Sequence, residues 1–299
     1  MSIIVLGTVA LDTVKTPFCI RKGILGGSAA HFSMVARLFT DVHLVGIIGK
    51  DFPEEYIDFL KKRKIVLDSL IRSNGKTFEW EGEYKGDLNT AVTLHTELGV
   101  LPDFKPVISQ RQRDIKHIFL ANVDPDIQSY FLDKMHSPLL VGLDSMNFWI
   151  ENKRKPLLRL LKRVNIFVAN DQEARHLSGE SNLIKAAKYL YRHGPQMILI
   201  KKGEHGAFFL SDQFIFSLPA FPVDEVVDPT GAGDTFAGGF MWYLAKTKRI
   251  NEASLKKAIA YGIIAASFNV EAFGVDKTSS LKEEDLKRRL ARFKKHVLF

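Results

Sequence analysis

The chain of 299 residues is 46% hydrophobic and 25% charged, which suits one large or two smaller globular domains with a sizeable core. Its formal charge of +8 comes from scattered Lys and Arg, and the short runs Lys61-Lys62-Arg63-Lys64, Lys287-Arg288-Arg289 and Lys294-Lys295 fall in helical stretches with apolar partners, which argues against nucleic acid as a partner. No apolar run can span a bilayer, Ile3-Ile4-Val5-Leu6 is too short for a signal peptide, and the single Cys19 excludes an internal disulfide, so a cytoplasmic protein with no membrane partner is expected.

Ile3-Ile4-Val5-Leu6-Gly7 reads as a buried strand of a parallel sheet, leading to Thr8 and Asp12. Open α/β sheets place ligands at the carboxyl ends of their strands, so Asp12 is either a polar turn residue or a ligand contact. Residues 13–22 have mixed polarity and suit an edge strand or a lid segment. Gly26-Gly27 precede a helix through Met34, Val35 and Leu38. Paired glycines permit close ligand approach, yet they match neither a Gly-x-Gly-x-x-Gly site nor a Gly-x-x-x-x-Gly-Lys-Ser/Thr loop. Residues 42–48 form a second strand, 53–64 a helix and 65–70 a third strand, the alternation of a doubly wound sheet.

Between residues 77 and 98 the pattern changes. Phe78-Glu79-Trp80-Glu81-Gly82-Glu83-Tyr84 alternates apolar with acidic residues, Gly86-Asp87-Leu88-Asn89 makes a turn, and residues 91–95 return as a strand. Residues 117–121 and 139–143 are further buried strands, the second ending in Asp144-Ser145-Met146-Asn147. Residues 164–168 lead into Asn170-Asp171-Gln172-Glu173, which by residue type alone is a helix N-cap with acidic residues in its first turn. Residues 197–201 are a strand before the turn Lys202-Gly203-Glu204-His205-Gly206. His205 has no Cys or His at ligand spacing and reads as a surface histidine.

The most informative stretch is Asp228-Pro229-Thr230-Gly231-Ala232-Gly233-Asp234-Thr235-Phe236. Small residues let backbone N–H groups crowd around an anion, and Phe236, Phe240, Met241 and Leu244 then recur at helical spacing. A turn with free amides at a helix N-terminus attracts negative charge. Asp234 sits in that electropositive place, either satisfying the helix end or acting as a general base beside an anion hole. Further helices follow near 236–244 and 255–268. Ala258, Ala260, Ala265 and Ala266 there either admit an adenine ring or serve close helix packing. From residue 281 to the C-terminus the pattern is a charged amphipathic helix.

This stretch resembles the C-terminal motif of the ribokinase-like (PfkB) carbohydrate kinases, and Gly26-Gly27 and Asn170-x-x-Glu173 resemble two further motifs in the family's order along nearly the whole chain. The resemblance implies a ribokinase-like α/β fold: a mostly parallel sheet flanked by helices, with a small β-sheet lid from about 12–22 and 77–98. It implies transfer of the γ-phosphoryl of ATP to a hydroxyl of a sugar or polyol, with Asp234 as base and the amides of Gly231, Ala232 and Gly233 receiving the phosphoryl charge. Asp12, Gly26, Gly27 and Ser28 would contact the substrate, with His31 where the family usually has Asn, and Asn89 from the lid and Asn147 after the fifth strand beside them. Asn170 and Glu173 would organise Mg²⁺ through water, and Lys201, Gly203 and Gly206 would bracket the ATP phosphates. Asp228, Thr230 and Gly274 match a loop for a monovalent cation such as K⁺.

Two rivals stand beside this reading. One is a nucleoside kinase on the same fold, because Phe32, Trp80 or Tyr84 could stack on a base. The other is a ligand-binding protein that kept the fold without catalysis. The chain is expected to be a monomer, or a homodimer if lid edges pair between subunits.

Overall fold

The computed structural model describes residues 1–86, 88–247 and 250–297. Asp87 of the expected lid turn and the last two residues of the expected C-terminal helix lie outside them. The strands are β1 (Ser2–Leu6), β2 (Ala10–Lys15), β3 (Ile20–Gly26), β4 (Asp41–Ile48), β5 (Ile65–Arg72), β6 (Phe78–Tyr84) and β7 (Ala91–Glu97). They continue as β8 (His117–Leu120), β9 (Leu140–Leu143), β10 (Ile166–Asn170), β11 (Met197–Lys201), β12 (Ala207–Ser211) and β13 (Ile215–Leu218). Among the described residues the larger sheet has the order β13-β12-β11-β10-β9-β8-β1-β4-β5. Its strands from β11 to β5 run parallel.

Why this sheet is continuous and buried follows from its side chains. Strand residues alternate between faces, so an unbroken apolar run must be covered on both. Ile3 and Val5 point into one core with Phe32, Phe240 and Ile264, contributed by helices Ser28–Ala36, Ala232–Lys246 and Glu252–Asn269. Ile4 and Leu6 point into the other with Phe131, Leu157, Leu177 and Leu190, from helices Pro125–Leu132, Arg154–Leu161, Asp171–Ser178 and Leu183–Arg192. The result is the expected α/β/α sandwich. The antiparallel hairpin β12–β13 extends its edge beyond what the strand–helix alternation anticipates.

The second sheet has the order β3-β2-β6-β7. β2 pairs antiparallel with β3 and parallel with β6, and β6 pairs antiparallel with β7. Its first two strands reach further than the expected 12–22: β2 begins at Ala10 and β3 runs to Gly26. The paired glycines are therefore the hinge between the small sheet and helix Ser28–Ala36. Ala258 and Ala265 are wholly buried in the core, and a Cβ at Gly239 would stand 2.7 Å from the Tyr261 carbonyl and 3.1 Å from the Ala265 methyl. Of the two readings left open for these small residues, those two serve helix packing.

Candidate active site

Adjacent parallel strands deliver a polar row along the carboxyl edge of the large sheet. Lys201 closes β11 opposite Asn170 at the end of β10, and Asp144 follows β9. The Lys201 ammonium lies 2.7 Å from the Asp144 carboxylate, whose other oxygen accepts the Ser145 N–H at 2.8 Å. Glu173 and Asp234 complete the cluster, so three carboxylates share one ammonium. Burial works against the Lys201 charge, but Asp144, Glu173 and Asp234 outweigh it and hold the ammonium protonated. Burial raises Asp234 from 3.8 to about 7, Asp144 adds to the rise, and Lys201 opposes it. Glu173 is raised for the same first two reasons.

Asn170 and Glu173 satisfy each other's backbone. The Glu173 N–H donates to Asn170 Oδ1 and the Asn170 N–H to Glu173 Oε2, both at 2.7 Å. The helix-cap reading is thus correct as geometry, and it also fixes the Glu173 carboxylate beside Lys201. This donor set is hard oxygen with surplus negative charge, which fits Mg²⁺ held largely through its waters. Among the described residues, no group of three or more His, Cys, Asp or Glu is placed to hold a metal by itself.

Gly231 adopts φ 72° and caps the helix that carries Asp234 in its first turn. Contrary to expectation, the Ala232 N–H is used within the turn, donating to the Pro229 carbonyl at 3.1 Å. The amides of Gly231 and Gly233 make no such bond among the described residues. A Cβ on Gly233 would stand 2.8 Å from Lys201 Nζ, so the ammonium lies directly beside those amides.

Asp12 is buried on β2 with the Gly27 N–H on its carboxylate, and a Cβ at Gly26 would come within 1.8 Å of Oδ2. Burial first, then the Asp228 charge, lifts it to about 7, with a further contribution from Asp234. The Asp234 charge is thus near enough to be felt at Asp12. Ser28 is a stitch rather than a free contact: its hydroxyl donates to the Asn122 carbonyl at 3.1 Å and accepts the Thr8 N–H at 3.1 Å. His31 is buried against Gly231, with Nδ1 3.2 Å from Asn269 Oδ1.

Other expected contacts lie elsewhere. Asn147 is exposed at the start of the short helix Asn147–Asn152. Asn89 donates to Glu204 Oε1 at 2.8 Å, tying the tip of the small sheet to the turn containing Gly203 and Gly206. Gly206 is compelled by space, since a Cβ would stand 2.1 Å from the Leu218 carbonyl. Asp228, Thr230 and Gly274 do meet: Asp228 accepts the Thr230 N–H at 2.8 Å and the Gly274 N–H at 2.9 Å. The Thr230 hydroxyl reaches the Tyr84 phenol at 3.2 Å. Sequence reasoning gave Thr235 and Asn269 no role of their own, whereas Asp144 did carry a signal, an acid directly after a buried strand.

Comparison with known proteins agrees with this arrangement. A model of the pfkB family carbohydrate kinases matches residues 143–282. Cytidine kinase of Thermococcus kodakarensis is 31% identical over 261 residues, spanning 84% of this chain and 91% of the relative. Ribokinase of Staphylococcus aureus is 33% identical over 130 residues, 42% of this chain and 41% of that one. The crystal structure of the nucleoside kinase of Methanocaldococcus jannaschii superposes with a TM-score of 0.78 at 21% identity, covering 97% of this chain and 98% of that one. Fold and site together define a phosphotransferase with an alcohol group as acceptor. The chain belongs to the pfkB family of carbohydrate kinases, as a sugar or nucleoside kinase.

The contact between Gly26 and Asp12 yields a direct test. Gly26→Ala is expected to retain the native circular dichroism spectrum and raise the acceptor KM about tenfold or more, by displacing Asp12. An unchanged KM in a folded variant would remove Asp12 from the acceptor site.

Proposed function

We propose that the chain phosphorylates a hydroxyl of a nucleoside, with MgATP as donor. The observation that carries this reading is a mostly apolar cavity of about 250 Å³ lined by Leu98, Leu101, Pro102, Phe148 and Trp149 together with Asp124, Asn152 and Lys153. It lies at the carboxyl edge of the large sheet: Trp149 Nε1 donates to Asn122 Oδ1 at 2.9 Å, and the Asn122 carbonyl accepts from Ser28 beside the glycine hinge. A free sugar presents hydroxyls on every side and gains little from such walls, whereas a planar base stacks against them. The cytidine kinase and nucleoside kinase relatives support the same choice.

In this reading Asp12 grips the ribose and orients the acceptor hydroxyl toward Asp234. Asp234 takes the hydroxyl proton, and its raised pKa makes it a competent base near neutrality. Lys201 and the Gly231 and Gly233 amides receive the charge of the transferring group, a task of positioning more than covalent chemistry. Glu173, oriented by Asn170, would hold Mg²⁺ through water, and the ion would supply charge neutralisation on the phosphates. The small sheet acts as a lid that excludes water from the donor. A monovalent cation near Asp228, Thr230 and Gly274 is also proposed, because the Thr230 and Gly274 N–H groups, donating to the two Asp228 carboxylate oxygens, bring two distant loops together around one carboxylate.

The acceptor is decided by a panel of cytidine, uridine, adenosine and inosine against ribose and fructose. A nucleoside is expected to exceed either sugar in kcat/KM by at least about tenfold, with Phe148→Ala raising the nucleoside KM; a preferred sugar sinks the reading.

Asp234→Asn is expected to cost about 10²–10⁴-fold in kcat. Wild-type kcat/KM should rise with pH through about 7 as Asp234 loses its proton. Because the folded pKa is raised, the group's contribution to stability is present below its unfolded value and is lost as pH rises through about 7. The ligand-free Asn variant should therefore melt higher than wild type at pH 8, and near-normal turnover in it would refute the assigned base.

Turnover measured in K⁺ against choline at equal ionic strength tests the cation loop. Several-fold activation by K⁺ supports it, and equal rates dispose of it.

A further inference from the structure

His31 occupies a place that its motif position does not foretell. It lies on helix Ser28–Ala36, one turn after the glycine hinge, and is 1% exposed. Its ring rests on the Cα of Gly231, where an added Cβ would fall 2.2–2.3 Å from Nδ1, Cε1 and Cγ. The polar edge of the ring meets Asn269, the buried last residue of helix Glu252–Asn269. Asn269 Nδ2 donates to the Thr230 carbonyl at 2.7 Å, so Oδ1 is the acceptor on the other side of that amide. Oδ1 receives the Thr235 hydroxyl at 2.8 Å and faces His31 Nδ1 at 3.2 Å.

An amide oxygen carries no proton, so Nδ1 must be the donor. The ring is therefore the neutral tautomer with hydrogen on Nδ1 and a bare Nε2. Nε2 is itself buried and has no hydrogen-bond partner among the described residues. A second ring proton would be stranded there without an acceptor, which keeps the ring uncharged. Burial pushes the imidazole down to about 4, in agreement with that bonding.

One side-chain amide thus gathers three pieces of the site: the helix fed by the glycine hinge, the Thr230-Gly231 turn, and Thr235 in the first turn after Asp234. We infer that His31 is a positioning residue for phosphoryl transfer, holding the Gly231 turn in register with the acceptor cradle through Nδ1–H and its ring face, and that it does not itself grip the acceptor. The inference rests on reading the Gly231 and Gly233 amides as the phosphoryl site. A group acting on the placement of those amides should change kcat and leave ground-state binding alone.

The test pairs kinetics with a measurement that needs no turnover. In His31→Phe and His31→Ala, kcat is expected to fall about 10- to 100-fold while the KM values for acceptor and ATP stay within about threefold. His31→Asn places an amide nitrogen near the Nδ1 position and should recover part of the loss. In ¹⁵N-histidine spectra of the wild-type chain at pH 7, the signal absent from His31→Asn should show a protonated Nδ1 and an unprotonated Nε2. A rise in acceptor KM with kcat preserved, an Asn variant no better than Ala, or a proton found on Nε2 each overturn the inference. Should the variants not fold, the His31 ring signal is assigned in the wild-type chain by sequential backbone and side-chain correlations, and its tautomer still decides. Kinetics are read on whichever acceptor the wild type turns over, so a sugar preference would defeat the nucleoside reading and leave this inference standing.

Discussion

The ion pair between Lys201 and Asp144 is the interaction on which the site depends. One ammonium stands among Asp144, Glu173 and Asp234 in a place largely removed from water. Three carboxylates there cannot all ionise cheaply, and the raised pKa values of Glu173 and Asp234 express that cost. Asp12, on β2 of the small sheet, is raised by burial and by Asp228 and Asp234. The ligand-free fold therefore carries electrostatic strain that a cation and a properly placed hydroxyl relieve. Sites of this kind trade stability for readiness, and here the trade is concentrated in Lys201 at the end of its strand, Asp144 just after its own, and Glu173 and Asp234 in the first turns of two helices.

Backbone geometry supplies the opposite charge. The Gly231 turn presents the amides of Gly231 and Gly233 where the N-terminus of a long helix already favours an anion. That turn would be loose if it depended on glycine alone, because glycine constrains nothing. It is braced from three directions: Asp228 accepts the Thr230 N–H, Asn269 donates to the Thr230 carbonyl, and the His31 ring presses on Gly231. The same glycine permissiveness that lets Asp12 nest against Gly26 serves the acceptor side. Two close approaches of side chain to backbone, Asp12 on Gly26 and His31 on Gly231, fix these two turns.

Legibility in the sequence followed interaction range. The β1 run, the alternation of Phe78 to Tyr84 and the helix after Gly233 are local periodicities, and each became the element it foretold. The turn and helix start that carry Asp234 were legible because residues 231–236 are contiguous in the chain, whereas Asp144 and Lys201 beside it come from distant strands. The Asp144–Lys201 pair joins residues 57 apart, and His31 meets Asn269 across 238, so neither partnership could be read from spacing. Ser28 and Asn89, expected beside the substrate, have polar atoms bonded within the fold to Thr8, Asn122 and Glu204, partners that spacing does not foretell. The hairpin β12–β13 escaped notice because Ala207-Phe208-Phe209-Leu210 is too short an apolar run to distinguish strand from helix.

How the small sheet sits explains why it can serve as a cover at all. Its tip is attached to the large unit by polar bonds, Asn89 to Glu204 and Gln172 to Thr90, both exposed, with the Tyr84–Thr230 bond and the small cluster of Val14, Tyr84 and Leu88 deeper in. Exposed hydrogen bonds exchange readily with water and contribute only modestly, so the tip can open without disturbing either main core. The deeper contacts fall on Thr230, beside the phosphoryl turn, while the outer ones fall on the turn after Lys201. The two loops 203–206 and 228–231 thus carry both the attachments of the small sheet and the residues proposed to receive the phosphates.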